Sequence, residues 1–375
     1  MTKRLFLAAI VALMTLMSAY AQREHYTSDT SLAEQLKLIK EKQDRFNLYL
    51  NTHFSADMMW DDHDFQRAKF NGKQLRIEAR GNISDNVSYR LLQRLNTSND
   101  ATRAYDNLPL SIDVAGIGVQ LSEKFSLFLG KQCTAYGGVE FDFNPIVVYE
   151  FADMIEYSPS FMTGANLIFR PVETQKFQFQ ILNARTGTLE ETYPWIPKEK
   201  LTDSKAPILG TINWSGRVTS FWNTLWSYSY MMQTDHHGQH YFALGNELKF
   251  GPVSGYFDAM YSREGLNAKP LIPVVENAEY LSFIAKLSCR VLPKWNLFVK
   301  GMYETGFQGK DQWLNGELMR SSYGYFAGVE YFPHWENLRF FLTYVGRAYV
   351  HEFDSKLDNN THRLSLGFIY QLPLF

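Results

Sequence analysis

From residue 52 to the C-terminus, apolar and polar residues alternate with a period of two, broken only by turn-like or polar stretches. Leu75, Ile77, Ala79, Gly81 and Ile83 make one face apolar or small, and Arg76, Glu78, Arg80 and Asn82 make the other. Val87, Tyr89 and Leu91 oppose Ser88, Arg90, Arg94 and Asn96, with Leu92 out of step. Trp295, Leu297, Val299 and Tyr303 oppose Asn296, Lys300 and Glu304, with Phe298 and Met302 as exceptions. In the last segment, Leu364, Leu366, Phe368, Tyr370 and Leu372 oppose Arg363, Ser365, Gly367 and Gln371.

The pattern predicts sixteen strands. They are His53–Trp60, Lys73–Ser84, Asn86–Asn96, Leu110–Leu121, Lys124–Leu129, Phe161–Arg170, Lys176–Arg185 and Pro207–Trp214. Thr219–Met232, His240–Phe250, Val253–Ser262, Glu279–Arg290, Trp295–Glu304, Ser321–Phe332, Asn337–Val350 and His362–Pro373 follow. Short connections (Asp85, Ser122-Glu123, Gly251-Pro252) alternate with long ones (Asp61–Gly72, Thr97–Pro109, Gly130–Ser160, Thr186–Ala206) throughout. Short turns at one end and long loops at the other are the mark of an all-β, antiparallel transmembrane barrel. A sandwich would place its polar face outside, and a propeller would show a repeat per blade, which is absent here.

Ahead of the barrel, two other patterns appear. Met1–Ala21 reads as a secretory signal, with Lys3 and Arg4, an apolar core from Leu5 to Met17, and Ala19-Tyr20-Ala21 as cleavage site. Residues 22–51 predict a short periplasmic helical segment: Leu32, Leu36, Ile39, Gln43, Phe46 and Leu50 are spaced by four and three, behind a Ser31/Glu34 capping box. Such a seam suits either a coiled coil that joins three chains or an amphipathic helix on the barrel mouth. Residues 52–375 form the barrel.

Composition supports this reading. Aromatic residues make up 15% of the 375, with 22 Tyr and 28 Phe, while mean hydropathy is negative. Aromatic girdles around a polar lumen give both. The formal net charge of −2 argues against nucleic acid as a partner. Two cysteines, Cys133 and Cys289, supply no disulfide framework.

Residues 130–160, GKQCTAYGGVEFDFNPIVVYEFADMIEYSPS, have no clean period. Their Phe, Tyr, Ile and Val ask for burial, whereas Glu140, Asp142, Glu150, Asp153 and Glu156 ask for water or partners. A loop with both needs fits inside a water-filled barrel as a constriction. Arg76, Arg80, Arg90 and Arg94, on two strands joined by a tight turn, would form a basic patch opposite those acids and are expected also to pin the loop by paired hydrogen bonds. Lys131 is the loop's one cation, and Lys286, Arg290, Lys300, Arg339 and Arg347 also fall on the lumen face.

No nucleophile elbow or HExxH helix is present, so no catalytic, metal or cofactor residues are assigned. Asp235-His236-His237-Gly238-Gln239-His240 reads as a polar turn at a loop tip. A passive pore for small polar or ionic solutes is the expected function; a barrel hydrolase and a plugged structural or adhesion barrel are the alternatives.

The stretch FSLFLGKQCTAYGGVEFDFNPIVVYEFADM, with GKQ at a strand end and then YGG, E-F and N-P, resembles the phosphate-selective porin O and P family of Bacteroides-like Gram-negative bacteria. FQFQILNARTG and the terminal Phe375 fit it too, and the resemblance runs from His53 to Phe375. It implies an outer-membrane porin among outer-membrane lipids, assembled by the barrel-assembly machinery and trimeric like general porins. In the phosphate-specific members, lumen arginines and loop lysines form the anion site. Here the loop is acidic apart from Lys131, which sets phosphate selectivity apart from the fold.

Overall fold

The computed structural model describes residues 45–98, 106–310, 312–333 and 337–374. The expected signal segment, most of the expected helix and Phe375 lie outside them. Sixteen antiparallel strands close into one barrel: β1 Asn47–Asp61, β2 Asp64–Ser84, β3 Val87–Arg94, β4 Ile112–Gln120, β5 Phe125–Cys133, β6 Phe161–Val172, β7 Gln175–Asn183 and β8 Ile208–Arg217. Next come β9 Trp222–Met232, β10 Gly238–Phe250, β11 Val253–Leu266, β12 Glu276–Leu292, β13 Trp295–Gln308, β14 Glu317–Tyr331, β15 Leu338–His351 and β16 Asn359–Pro373. Each strand pairs with its sequence neighbours, and β1 meets β16 from Tyr49↔Pro373 to Asp61↔Thr361. Closure leaves no unpaired edge, which a span through hydrocarbon requires.

Two expectations are corrected at the start of the chain. Asn47–Leu50 is strand, not the end of a helix: Leu48 and Leu50 belong to the outward alternation, while Asn47, Tyr49 and Asn51 are buried inside. Residues 61–72 are not a long loop. β1 and β2 continue as a hairpin that turns at Asp62-His63, with Asp62 at φ 49°. Its register shifts at His53/Phe54 and Met59/Trp60 turn its side chains over, and Phe70 is left 93% exposed.

Along β13 the alternation is regular: Leu297, Val299 and Tyr303 are exposed, and Asn296, Phe298, Lys300, Met302 and Glu304 are buried. The exposed set faces lipid. Ring pairs mark its two rims, with Phe125–Phe169, Phe221–Phe250 and Trp295–Tyr331 toward the turns. Tyr303–Tyr323, Tyr228–Phe242 and His240–Trp313 lie toward the loops. From Trp295 to Tyr303 is eight steps along the strand, about 27 Å. A tilt of roughly 40° reduces that to a height of about 21 Å, close to the apolar band of outer-membrane barrels. Val299→Arg, midway between the belts, should therefore cost about 2–4 kcal/mol, read by denaturant unfolding in lipid vesicles. Unchanged stability would mean that β13 does not face hydrocarbon there.

Candidate functional site

The connection from β5 to β6, residues 134–160, does not extend away from the barrel. It folds into the lumen and runs along the inner wall from β7 through β16 to β1, touching β2 at its Pro145–Val147 turn. Tyr136-Gly137-Gly138 makes the entry. Gly137 and Gly138 have φ of 75° and 84°, values that side-chain-bearing residues rarely adopt. A Cβ on Gly138 would also stand 2.5 Å from Met260. The Gly138 N–H donates to Leu225 O, and Ser227 Oγ donates to Tyr136 O. Asp258 of β11, fully buried, then accepts the N–H groups of Val139 and Glu140 at 2.7 and 2.9 Å. These begin a single helical turn, Val139–Asp142.

The loop lies on an apolar seat. Tyr136, Val139, Phe143, Ile146, Met154 and Ile155 pack with inward residues of the wall, among them Tyr241, Met260, Ile284 and Phe341. Phe298 and Met302, which break the alternation of β13, are part of that seat, and Tyr149 stacks on Phe298 at 5.3 Å. Apolar residues on a lumen wall are stable only where something covers them. A second connection, 267–275, also turns inward: Ile272 and Val274 join the same cluster, and buried Lys269 pairs with Glu264.

Three of the expected constriction acids anchor the loop. Glu140 meets Lys300 at 2.6 Å and accepts from Tyr256 Oη. Asp153 meets Arg320 at 2.8 Å and Arg347 at 3.0 Å, and Arg347 also holds Glu304 at 2.9 Å. Glu150 meets Arg363 at 2.8 Å. The expected patch of Arg76, Arg80, Arg90 and Arg94 therefore does not face all the loop acids. Carboxylates brought into a packed seam need partners there, and β13–β16 supply them.

The patch pairs within its own wall. Arg76 and Arg94 share Asp113 at 3.1 and 3.0 Å, and Arg90 meets Glu78 at 2.9 Å. Lys131 meets Asp106 at 3.4 Å, and Arg80 donates to Tyr49 Oη while stacking on its ring. Between this wall and the loop lies a cavity of 370 Å³. Arg76, Arg90, Arg94, Lys131 and the out-of-step Leu92 line it on the barrel side, and Asp142, Glu156, Phe141, Phe143 and Phe151 on the loop side. It reaches from Leu110 and Thr186 at the loop end to Glu78 and Arg90 deeper in the barrel. Glu156 has no ion pair among the described residues. Its carboxyl is raised above the usual value by desolvation and then by Glu150 and Asp153. Arg80 is outside this cavity, and Glu150 borders a second one, of 410 Å³, beside Arg67 and Arg363.

Asp258, Asp113, Glu304, Arg320 and Arg363 are site residues that the sequence alone does not single out. The inward parity of Asp258 (with Tyr256, Met260 and Ser262) was the available signal. Cys133 and Cys289 are free thiols. Among the described residues, no trio of His, Cys, Asp or Glu is placed to hold a metal.

Comparison with solved structures gives the same architecture. The outer-membrane channel DcaP of Acinetobacter baumannii is 13% identical with a TM-score of 0.62, over 89% of this chain and 99% of that one. The anion-selective porin from Comamonas acidovorans is 7% identical with a TM-score of 0.61, over 87% and 99%. A trimer form of OmpT, an outer-membrane protein of Vibrio cholerae, is 12% identical with a TM-score of 0.55, over 87% and 100%. At such identities the likeness is one of fold. No curated protein matches by sequence. The family model for phosphate-selective porin O and P matches residues 46–372, nearly the whole barrel, and the chain belongs to that porin family.

Proposed function

We propose that this chain is a passive outer-membrane porin for small polar and ionic solutes, with a constriction of mixed sign and no catalytic role. One observation carries the reading: the 134–160 loop covers one side of the lumen and leaves a charged cavity along β2–β5. Both signs line it, so it does not present the wholly cationic field that phosphate selection calls for. The likeness to a trimeric barrel supports a homotrimer. Residues 1–21 would direct export, and both ends of the barrel, paired at Tyr49↔Pro373, would face the periplasm.

Purified protein in planar bilayers tests this. Stepwise conductance in units of three is expected, with a trimeric mass in detergent. A silent, folded barrel that hydrolyses lipid or peptide substrates would support the enzyme reading instead, and silence without turnover the structural one.

A further inference from the structure

The cavity between the loop and β2–β5 has chemistry that a simple water-filled hole does not need. On the wall, Arg76 and Arg94 share a single carboxylate, Asp113, so positive charge is in excess there. The Arg90 and Arg94 side chains keep 21% and 31% of their surface open. Across the cavity stands Glu156, open to the cavity and without an ion pair among the described residues. Phe141, Phe143 and Phe151 of the loop and Ile112 of the wall line the same cavity beside these charged groups.

We propose that this cavity is a binding subsite for small zwitterions with an apolar side group, of the class of aromatic amino acids. This rests on the porin reading and names the solute class that the passage prefers. The α-carboxylate lies at Arg90 and Arg94 through charge-assisted hydrogen bonds, which guanidinium forks favour. The ammonium lies at Glu156, and the side group covers the Phe rings, removing apolar surface from water. Each rival solute class leaves part of the lining unmatched. Inorganic phosphate gains the arginines but is repelled by Glu156 and Asp142, and gives up hydration against rings that return no hydrogen bond. A neutral sugar leaves both charged poles unused, and a hydrophobic cation meets the arginines. The volume is within the range of small-molecule sites, about 300–1,000 Å³.

The test uses the full chain in planar bilayers, with L-phenylalanine, 3-phenylpropionate, 2-phenylethylamine, glycine and inorganic phosphate as blockers of ion current. Phenylalanine should half-block at a concentration roughly tenfold lower than any of the others, as expected when losing one pole or the ring weakens binding by one modest interaction. Glu156→Gln should abolish the preference for phenylalanine over phenylpropionate. Arg94→Gln should abolish its preference over phenylethylamine, and reads the site independently if the first variant fails to fold. Equal block by phenylpropionate or phosphate, or unchanged preferences in both variants, would overturn the proposal. Equilibrium dialysis of labelled phenylalanine against detergent-solubilised protein separates the two readings. Binding without conductance removes the porin and keeps the site, whereas conductance without binding removes the site and keeps the porin.

Discussion

Replacing Arg347 by Met is expected to release the 134–160 loop from the barrel wall. Arg347 is 3% exposed and lies within 4 Å of Asp153, Glu304 and Glu150. Methionine keeps much of the side chain's length but leaves three carboxylates facing one another, with Arg320 and Arg363 as the remaining counter-charges. Removing one partner of a buried ion pair costs about 3–5 kcal/mol, enough to populate conformations in which the Asp153 turn has moved away. The strand ladder does not pass through Arg347's side chain, so the barrel itself should assemble. Single channels should be larger and noisier than wild type, while heat-resistant migration on gels is kept. Arg347→Lys, one point charge in place of a fork, should fall between the two. If Arg347→Met channels match wild type in size and noise, the apolar seat alone holds the loop.

The second large effect concerns charge. Asp142→Asn with Glu156→Gln removes both loop carboxylates from the 370 Å³ cavity and leaves Arg76, Arg90, Arg94 and Lys131 in place. A narrow passage with low-dielectric walls focuses the field of such groups. Reversal potentials under a KCl gradient should therefore shift toward anions, strongly at about 0.01 M salt and weakly at 1 M, where the screening length falls from about 30 Å to 3 Å. Since Glu156 titrates above its usual range, wild type should show part of the same shift as pH falls toward that raised value. Its charge is present above it and lost below. A double variant with wild-type selectivity at low salt would mean that current bypasses this cavity.

Much of this architecture is legible in the sequence because lipid imposes a period of two on every strand that crosses it. All sixteen predicted strands find counterparts, from β1 to β16. The failures come where that constraint ends. The β1–β2 hairpin beyond Met59 carries Asp61, Asp62, Asp64 and Lys69, which resemble loop because no hydrocarbon selects apolar side chains there. Phe46 and Leu50 fit the heptad seam and, with Leu48 between them, a two-residue period as well, and the shorter period prevails once β16 pairs alongside.

At the site, the lumen face of Arg76, Arg90 and Arg94 could be read from parity, but their partner could not. Asp113 reaches them through the register shift at Leu92/Gln93 between β3 and β4, which no local pattern announces. Leu92, Phe298 and Met302 were informative for the opposite reason. Each is apolar on a polar face, and each turns out to touch the loop's packing or its cavity.

The apolar seat makes the loop and the wall of β10–β16 a single inheritance unit. Residues far apart in sequence, such as Val139 with Asp258, 119 positions on, or Tyr149 with Glu330, 181 positions on, must fit one another as closely as neighbours in any protein interior. Transplanting the 134–160 segment into a different barrel would leave a naked greasy patch here and a misfitting tangle there. The pore's character is therefore not portable with its most conspicuous stretch. Along most of β2–β5, where the cavity separates wall from loop, change has only to respect the wall's own ion pairs, while the opposite half of the cylinder has to change in step with what leans on it.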